Sequence, residues 1–146
     1  MDRRMSRFIY CDRNMVLFIE EVLARLPEGI KEDILSDSGF QVATVKNFDE
    51  LCIVHYRFDY PVKYLSCLDA KIINKPKYKI IYAIAHELAI YVVNKEKSLF
   101  DEKKAQQLLI KWGFEEEIEA VRDELTMTES DSYKTGYAWA KKQNKD

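Results

Sequence analysis

The chain has 146 residues, of which 47% are hydrophobic and 33% charged, and its formal net charge is −2. That size and balance predict a single globular domain over residues 1–146, and the slightly acidic charge argues against a nucleic-acid-binding surface. Because apolar runs such as Ile80 to Ile84 are far shorter than a membrane-spanning helix and the N-terminus leads into no signal-peptide core, we expect a cytoplasmic protein without a membrane partner.

Three cysteines, Cys11, Cys52 and Cys67, are an odd number and lack the spacing of a zinc ribbon. In a cytoplasmic protein this pattern predicts reduced, small core residues rather than a disulfide framework.

The first part of the chain predicts a helix followed by a sheet. Asp12 can cap the helix, whose apolar residues recur at helical spacing, and Pro27 to Gly29 end it before one further turn over residues 30–35. The apolar residues of this helix are Met15, Val16, Phe18, Ile19, Val22, Leu23 and Leu26.

Three later segments have the composition of strands: residues 40–45, residues 51–58, and one long or bent strand over residues 62–73. Strands at this spacing predict a small, twisted, mainly antiparallel sheet. The inward-facing residues of the third strand are expected to be Leu65, Cys67, Ala70 and Ile72.

Pro76 suits the first turn of a central helix. Because Ile90 and Val93 are apolar although they lie opposite the main core stripe, this helix is expected to be covered on both sides, with His86 in an interior or a cleft. The stripe itself is formed by Ile80, Ile81, Ile84, Leu88, Tyr91 and Val92.

Three further helices are predicted after the central one. Ser98 caps a helix from Leu99 to Trp112 that Gly113 stops, with Glu102 near the edge of its apolar face. That face is formed by Ala105, Leu108, Leu109 and Trp112. An acidic helix follows from Glu115 to Leu125, and a last helix over residues 131–142.

The central helix carries most of a zinc-binding motif. In His-Glu-x-x-His, two imidazoles one turn apart lie on the same helix face and ligate one Zn²⁺ beside a glutamate base. His86 and Glu87 occupy the first two positions of this motif, and Ile90 occupies that of the second histidine.

Together, the segments Ile84 to Ala89, Glu102 to Ala105 and Trp112 to Phe114 resemble the compact zinc metallopeptidases of the gluzincin type, with the ImmA/IrrE-like proteins as close relatives. The resemblance covers roughly residues 62–114. It implies an α+β, zincin-like fold, in which the small sheet packs on the active-site helix and further helices stand at both ends of the chain. It also implies that His86 is the first metal ligand, Glu87 the general base and Glu102 the third ligand.

Ile90 departs from this family pattern, since its side chain has no lone pair and catalytic zinc normally has three protein ligands. Zinc is therefore expected to bind weakly or not at all, unless His55, Cys52 or Cys67 replaces the missing ligand. The resulting hypothesis is a metallopeptidase-like protein with a degenerate zinc site, acting as a non-catalytic binding or regulatory module for a peptide or protein partner.

Two alternatives remain open. One is an active zinc peptidase in which Glu87 deprotonates a zinc-bound water and an unidentified group replaces the missing ligand. The other is an interaction protein unrelated to peptidases. Apart from the resemblance, His86 can be a core histidine satisfied by Glu87, by Glu102 or by a backbone carbonyl, Glu102 can be a solvated first-turn acid, and Tyr82 can be a packing residue rather than part of a substrate platform.

Overall fold

The computed structural model describes residues 3–8, 11–46, 63–97 and 101–123. These residues form an α+β structure that is mostly helical and contains a two-stranded parallel sheet. The chain divides into two compact units, Met1–Lys75 and Pro76–Asp146, which are described separately. Within the described ranges, no helix is both long and apolar enough to cross a lipid bilayer.

The first unit begins with a short 3-10 helix, Arg3–Phe8, followed by helix α1, Arg13–Arg25. The side chain of Asp12 accepts a hydrogen bond from the backbone N–H of Asn14 at 2.8 Å, so the predicted cap is confirmed. The predicted core face is also confirmed in its main residues, because Met15, Ile19, Val22, Leu23 and Leu26 are buried.

Helix α2 runs from Glu28 to Ser36 and is longer than the single turn that the sequence predicted. Pro27 directly precedes it, at a place where the missing N–H of proline costs nothing, and its carbonyl accepts from Lys31 N at 3.0 Å. The proline therefore starts a second helix as well as separating it from α1.

The two described strands, β1 at Phe40–Val45 and β2 at Tyr64–Asp69, pair in parallel, with Phe40 opposite Tyr64. The prediction of a mainly antiparallel sheet is wrong for this pair. Residues 46–63 connect the strands, and this connection exceeds the roughly one dozen residues that a parallel crossover needs. The strand predicted over residues 51–58 lies outside the described residues.

Strand β2 is shorter than the strand predicted over residues 62–73 and buries its other face. It ends at Asp69, whose side chain accepts from Lys71 N at 2.9 Å and starts a 3-10 helix, Ala70–Asn74. Ser66 and Leu68 are buried, whereas Leu65 and Cys67 are half-buried. Because apolar residues stand on both faces of this strand, the sequence did not determine which face is inward.

Cys11 and Cys67 are both free thiols and half-buried, while Cys52 lies outside the described residues. The Cys11 thiol donates to the backbone oxygen of Val42 at 3.6 Å. Burial raises the pKa of this thiol from 9.0 to about 12, which keeps it protonated at neutral pH.

The second unit is built around helix α3, Lys77–Lys97, which packs against the two helices that follow it. The carbonyl of Pro76 accepts from Lys79 N at 3.0 Å, so the predicted helix start is confirmed. Both sides of α3 contribute to the core, as the sequence predicted. Its buried residues are Ile80, Ile81, Tyr82, Ile84, Ala85, Leu88, Ala89, Tyr91 and Val93.

Helix α4 runs from Glu102 to Lys111, so the predicted start at Leu99 with Ser98 as the cap is wrong. Asp101 is the N-cap, and its carboxylate accepts from Lys104 N at 3.2 Å, which is the bond that an N-cap side chain makes to the third helical residue. As a result Glu102 is the first residue of the helix.

The predicted stop at Gly113 is confirmed. This glycine has φ of 89°, its N–H bonds to the carbonyl of Ile110, and Phe114 N bonds to the carbonyl of Leu109. The two bonds form a Schellman motif, in which the left-handed residue lets the chain satisfy the last carbonyls of the helix. Helix α5 then runs from Glu115 to Arg122 and buries Ile118. The helix predicted over residues 131–142 lies outside the described residues.

Candidate functional site

The structure brings His86 of α3 and Glu102 of α4 into direct contact. Nε2 of His86 lies 3.0 Å from Oε1 and 2.9 Å from Oε2 of the Glu102 carboxylate. Because an ionised carboxylate can only accept hydrogen bonds, this contact requires a proton on Nε2. The two residues to which the resemblance assigns metal-ligand roles are therefore neighbours within the second unit.

Two further side chains complete a hydrogen-bonded cluster around this pair. Nε2 of Gln106 donates to Oε1 of Glu102 at 2.7 Å and to the hydroxyl of Tyr82 at 3.0 Å. The Tyr82 ring stacks on the imidazole of His86, with ring centroids 5.4 Å apart and planes 13° from parallel. We refer to Tyr82, His86, Glu102 and Gln106 as the four-residue cluster.

Helical spacing positions all four residues. Tyr82 and His86 are four residues apart on α3, and Glu102 and Gln106 are four residues apart on α4, so each pair occupies one face of its helix. Since α3 and α4 pack against each other, the two faces meet. The N-cap at Asp101 fixes where α4 begins and therefore the direction in which the Glu102 side chain leaves the helix.

The cluster is largely shielded from solvent. The side chains of His86 and Glu102 are only 12% and 13% exposed, and Gln106 is fully buried. In such surroundings a hydrogen bond between an imidazole and a carboxylate is stronger than at the surface, and breaking it leaves costly unpaired groups. One polar atom of the cluster, the Oε1 of Gln106, is buried without a hydrogen-bond partner.

The other two motif positions lie on the same helix. Glu87 is the residue after His86 and is half-buried, and Ile90 is half-buried one turn further along. The role of Glu87 as a general base stays a prediction.

The described residues do not fit a catalytic zinc ion of the family type. Catalytic zinc takes three nitrogen, sulfur or carboxylate ligands from the protein, but His86 and Glu102 supply two, and Ile90, at the position that the resemblance assigns to the second histidine, has a hydrocarbon side chain. In the part of the chain that the structure describes, no three histidine, cysteine or acidic residues form a group able to hold a metal. His55 and Cys52 lie outside this part, and Cys67 lies on β2.

The geometry also bears on the non-metal interpretations of these residues. The contact agrees with a histidine satisfied by Glu102. A solvated first-turn role for Glu102 is wrong, because its side chain is mostly buried and bonded to His86 and Gln106. Tyr82 is buried and its ring stacks on His86, in agreement with a packing role, and its hydroxyl also accepts from Gln106.

Sequence reasoning assigned no role to Gln106 and missed the polar contact of Tyr82. The signal that finds both is the four-residue spacing that relates the two histidines of the zinc motif. Applied backwards from His86 this spacing reaches Tyr82, and applied forwards from Glu102 it reaches Gln106.

Comparison with known protein families, with curated proteins and with solved structures finds no match to this chain.

Proposed function

We propose that this chain is a zincin-like domain whose zinc centre is degenerate, and that it acts as a non-catalytic binding or regulatory module for a peptide or protein. The observation that carries the proposal is the contact between His86 and Glu102, with Ile90 at the position of the second imidazole. The remaining parts of the proposal, the packing of the sheet on the active-site helix and the class of partner, follow from the resemblance of residues 62–114 to the gluzincins.

The distances in the pair support its origin as part of a metal centre. Two donors that each lie about 2.1 Å from a tetrahedral zinc ion are about 3.4 Å apart. Nε2 of His86 and the carboxylate oxygens of Glu102 are separated by 2.9 and 3.0 Å. A small displacement would therefore bring these two donors to the spacing of neighbouring zinc ligands.

The same contact supports the loss of zinc chemistry. Ile90 has no donor atom, and losing one ligand is expected to cost more than the roughly 10–100-fold that supporting residues outside the ligand set contribute to metal affinity. The direct bond satisfies both His86 and Glu102 without an ion. A metal ion must first break this bond, which lowers its affinity further.

The experiment that tests the proposal restores the missing ligand. In Ile90→His, the new imidazole leaves α3 one turn after His86 and on the same face. Replacing a half-buried isoleucine costs about 1–3 kcal/mol of apolar burial before metal binds, whereas zinc bound at a complete protein site contributes roughly 10 kcal/mol or more. We expect the metal-free variant to be less stable than the parent and the zinc-loaded variant to be more stable.

The matched control is Val92→His, which places a histidine on the same helix at another half-buried position. Residue 92 lies about 240° around the helix from His86, so its imidazole points away from the pair. Zinc titrations by calorimetry should show tight binding for Ile90→His alone. Equal affinities for the two variants would refute the alignment of Ile90 with the second ligand, and the zincin proposal with it.

A further inference from the structure

A groove opens on the surface of the first unit, between α1 and the 3-10 helix Ala70–Asn74. It has a volume of about 330 Å³ and is lined by Asn14, Leu17, Phe18, Glu21 and Ile73. Ligand pockets in proteins span roughly 300–1,000 Å³. The groove is therefore at the small end of this range, a size suited to a large side chain of a partner.

The wall that α1 provides is separate from the core face of the same helix. Its four lining residues recur at helical spacing, so they share one stripe of the helix surface. At about 100° per residue, this stripe lies roughly 130° around α1 from the buried stripe that begins at Met15 and ends at Leu26. Helix α1 thus has a second, partly apolar face that faces away from its core.

Leu17 is the most accessible apolar side chain of this face. It is 52% exposed, and among the described residues no other large hydrophobic side chain is exposed. Phe18 and Ile73, which line the groove with it, are half-buried. A lone exposed leucine is ordinary on a protein surface, but three apolar side chains around one groove offer an area that the apolar side chain of a partner can cover.

One end of the groove carries a negative charge. Glu21 is the charged residue of the lining and is exposed. It lies one helical turn, roughly 5 Å along the axis, beyond Leu17 and Phe18. A carboxylate has about four acceptor sites, so Glu21 can accept from a ligand in addition to its contacts within the chain. The groove therefore favours a ligand that combines an apolar side chain with a cationic one.

We propose that this groove is a docking site for a basic amphipathic helix of a partner protein. A large apolar side chain of that helix packs on Leu17, Phe18 and Ile73, and a lysine or arginine one turn away bonds to Glu21. In a helix, side chains three or four positions apart face the same way, so one turn of the partner makes both contacts. The inference rests on the proposed function, since it takes the chain as a binding module and names the surface and the class of partner.

The test uses the full-length protein and two fluorescein-labelled peptides of about 15 residues, long enough to form a helix on binding. The first peptide has leucine on one face and lysine on the other, and in the second peptide glutamate replaces every lysine. In fluorescence anisotropy, the parent should bind only the leucine–lysine peptide, and it should do so saturably. Leu17→Ser should weaken this binding about tenfold, as expected when a central apolar contact is truncated.

Charge reversal supplies a matched pair of variants. Glu21→Lys should weaken binding of the leucine–lysine peptide about tenfold and allow the leucine–glutamate peptide to bind. Glu28→Lys changes the net charge equally, at an exposed position of α2 that does not line the groove, and should behave like the parent with both peptides. Circular dichroism confirms that each variant is folded. The two charge reversals decide the matter should Leu17→Ser fail to fold.

Four outcomes overturn the inference. If the parent does not bind the leucine–lysine peptide saturably, the groove is not a site for a basic helix. If Glu28→Lys weakens binding as much as Glu21→Lys, the peptide is held only by general attraction to an acidic protein. If Leu17→Ser binds like the parent, the apolar contact does not form. A dimer of the parent that Leu17→Ser dissociates in sedimentation velocity would show that a second copy of this chain occupies the groove.

The experiments separate the two proposals. The zinc titrations of Ile90→His and Val92→His test the zincin alignment in the second unit, whereas the peptide titrations depend on side chains of the first unit. Failure of the zincin alignment would leave the response of Leu17→Ser and Glu21→Lys to the peptides unchanged.

Discussion

The imidazole of His86 lies almost parallel to the phenol ring of Tyr82, and the hydroxyl of that tyrosine accepts a hydrogen bond from the same Gln106 amide that holds Glu102. Tyr82 therefore acts on both partners of the pair, by stacking on His86 and, through Gln106, by orienting the carboxylate. An imidazole held on one face by a ring and at Nε2 by a carboxylate has little freedom to rotate.

The coupling within the pair can be measured by mutation. Glu102→Ala removes the acceptor of His86 Nε2 and one of the two acceptors of the Gln106 amide, and losing an acceptor of this kind costs about 1–3 kcal/mol of unfolding free energy. We expect a double-mutant cycle of Glu102→Ala with His86→Ala to give a coupling energy of about 0.5–3 kcal/mol in urea denaturation.

The control for this cycle is Lys103→Ala, at the next position of α4, where the side chain is exposed. Its effect should stay within about 0.5 kcal/mol. If Glu102→Ala and His86→Ala were additive within about 0.5 kcal/mol, the contact between them would carry no stability.

Purified without added zinc, the protein should contain well under one equivalent of the metal, and a chelator should barely change its melting temperature. A ligand stabilises the folded state by RT ln(1 + [L]/Kd), which is small when Kd is large. Elemental analysis and thermal melts with and without chelator check both statements. Stoichiometric zinc that survives dialysis would instead point to an additional ligand such as His55 or Cys52. The active-peptidase alternative with Glu87 as base would then lead.

The two glycines Gly29 and Gly113 should respond oppositely to alanine. No atom lies within 4 Å of an added Cβ at either position, but Gly113 has φ of +89°. Gly113→Ala should therefore destabilise the fold by about 1 kcal/mol through backbone strain. Gly29→Ala, inside α2, should stabilise it by about 0.4–1 kcal/mol. Urea denaturation measures both changes, and effects of the same sign would contradict the assignment of Gly113 to the Schellman motif.

Cys11 should resist alkylation in the folded protein. Burial raises the pKa of its thiol to about 12 from 9.0, so at pH 9 roughly one thousandth of it is the reactive thiolate. Reaction with iodoacetamide, followed by mass spectrometry of the Cys11 peptide, should be much slower in buffer than in urea. Equal rates in the two solutions would show that the thiol is not protected.

The same pKa shift has a defined sign for stability. Folding favours the protonated thiol. The contribution of this thiol to the free energy of unfolding is therefore fully present below pH 9.0 and is lost as the pH rises towards 12. In Cys11→Ala this part of the alkaline decline in unfolding free energy should disappear.

Local chemistry made part of this structure predictable. Asp12 before a run of residues at helical spacing identified α1, Pro76 identified the start of α3, and Gly113 identified the stop after α4. Each of these residues acts on backbone groups within a few positions of itself, so the sequence nearby contains the information.

Features that depend on distant parts of the chain were predicted less well. The parallel pairing of β1 with β2 joins segments that are far apart in the sequence, which no local pattern encodes. The candidate site shows the same division. The resemblance assigned His86 and Glu102 to one metal site and so predicted that the two side chains lie close together. The burial of Gln106, by contrast, depends on the packing of α4 against α3.

The parallel register of β1 and β2 also has a consequence for the order of folding. Phe40 pairs with Tyr64, so the chain between them must close a long loop before the first rung of the sheet forms, whereas the turns of α1 and α2 need only neighbouring residues. Closing this loop lowers the conformational entropy of the chain before any contact between the two strands can stabilise the sheet. We therefore expect the strand pair to form late, so that truncating Val42, buried in β1, accelerates unfolding more than it slows refolding.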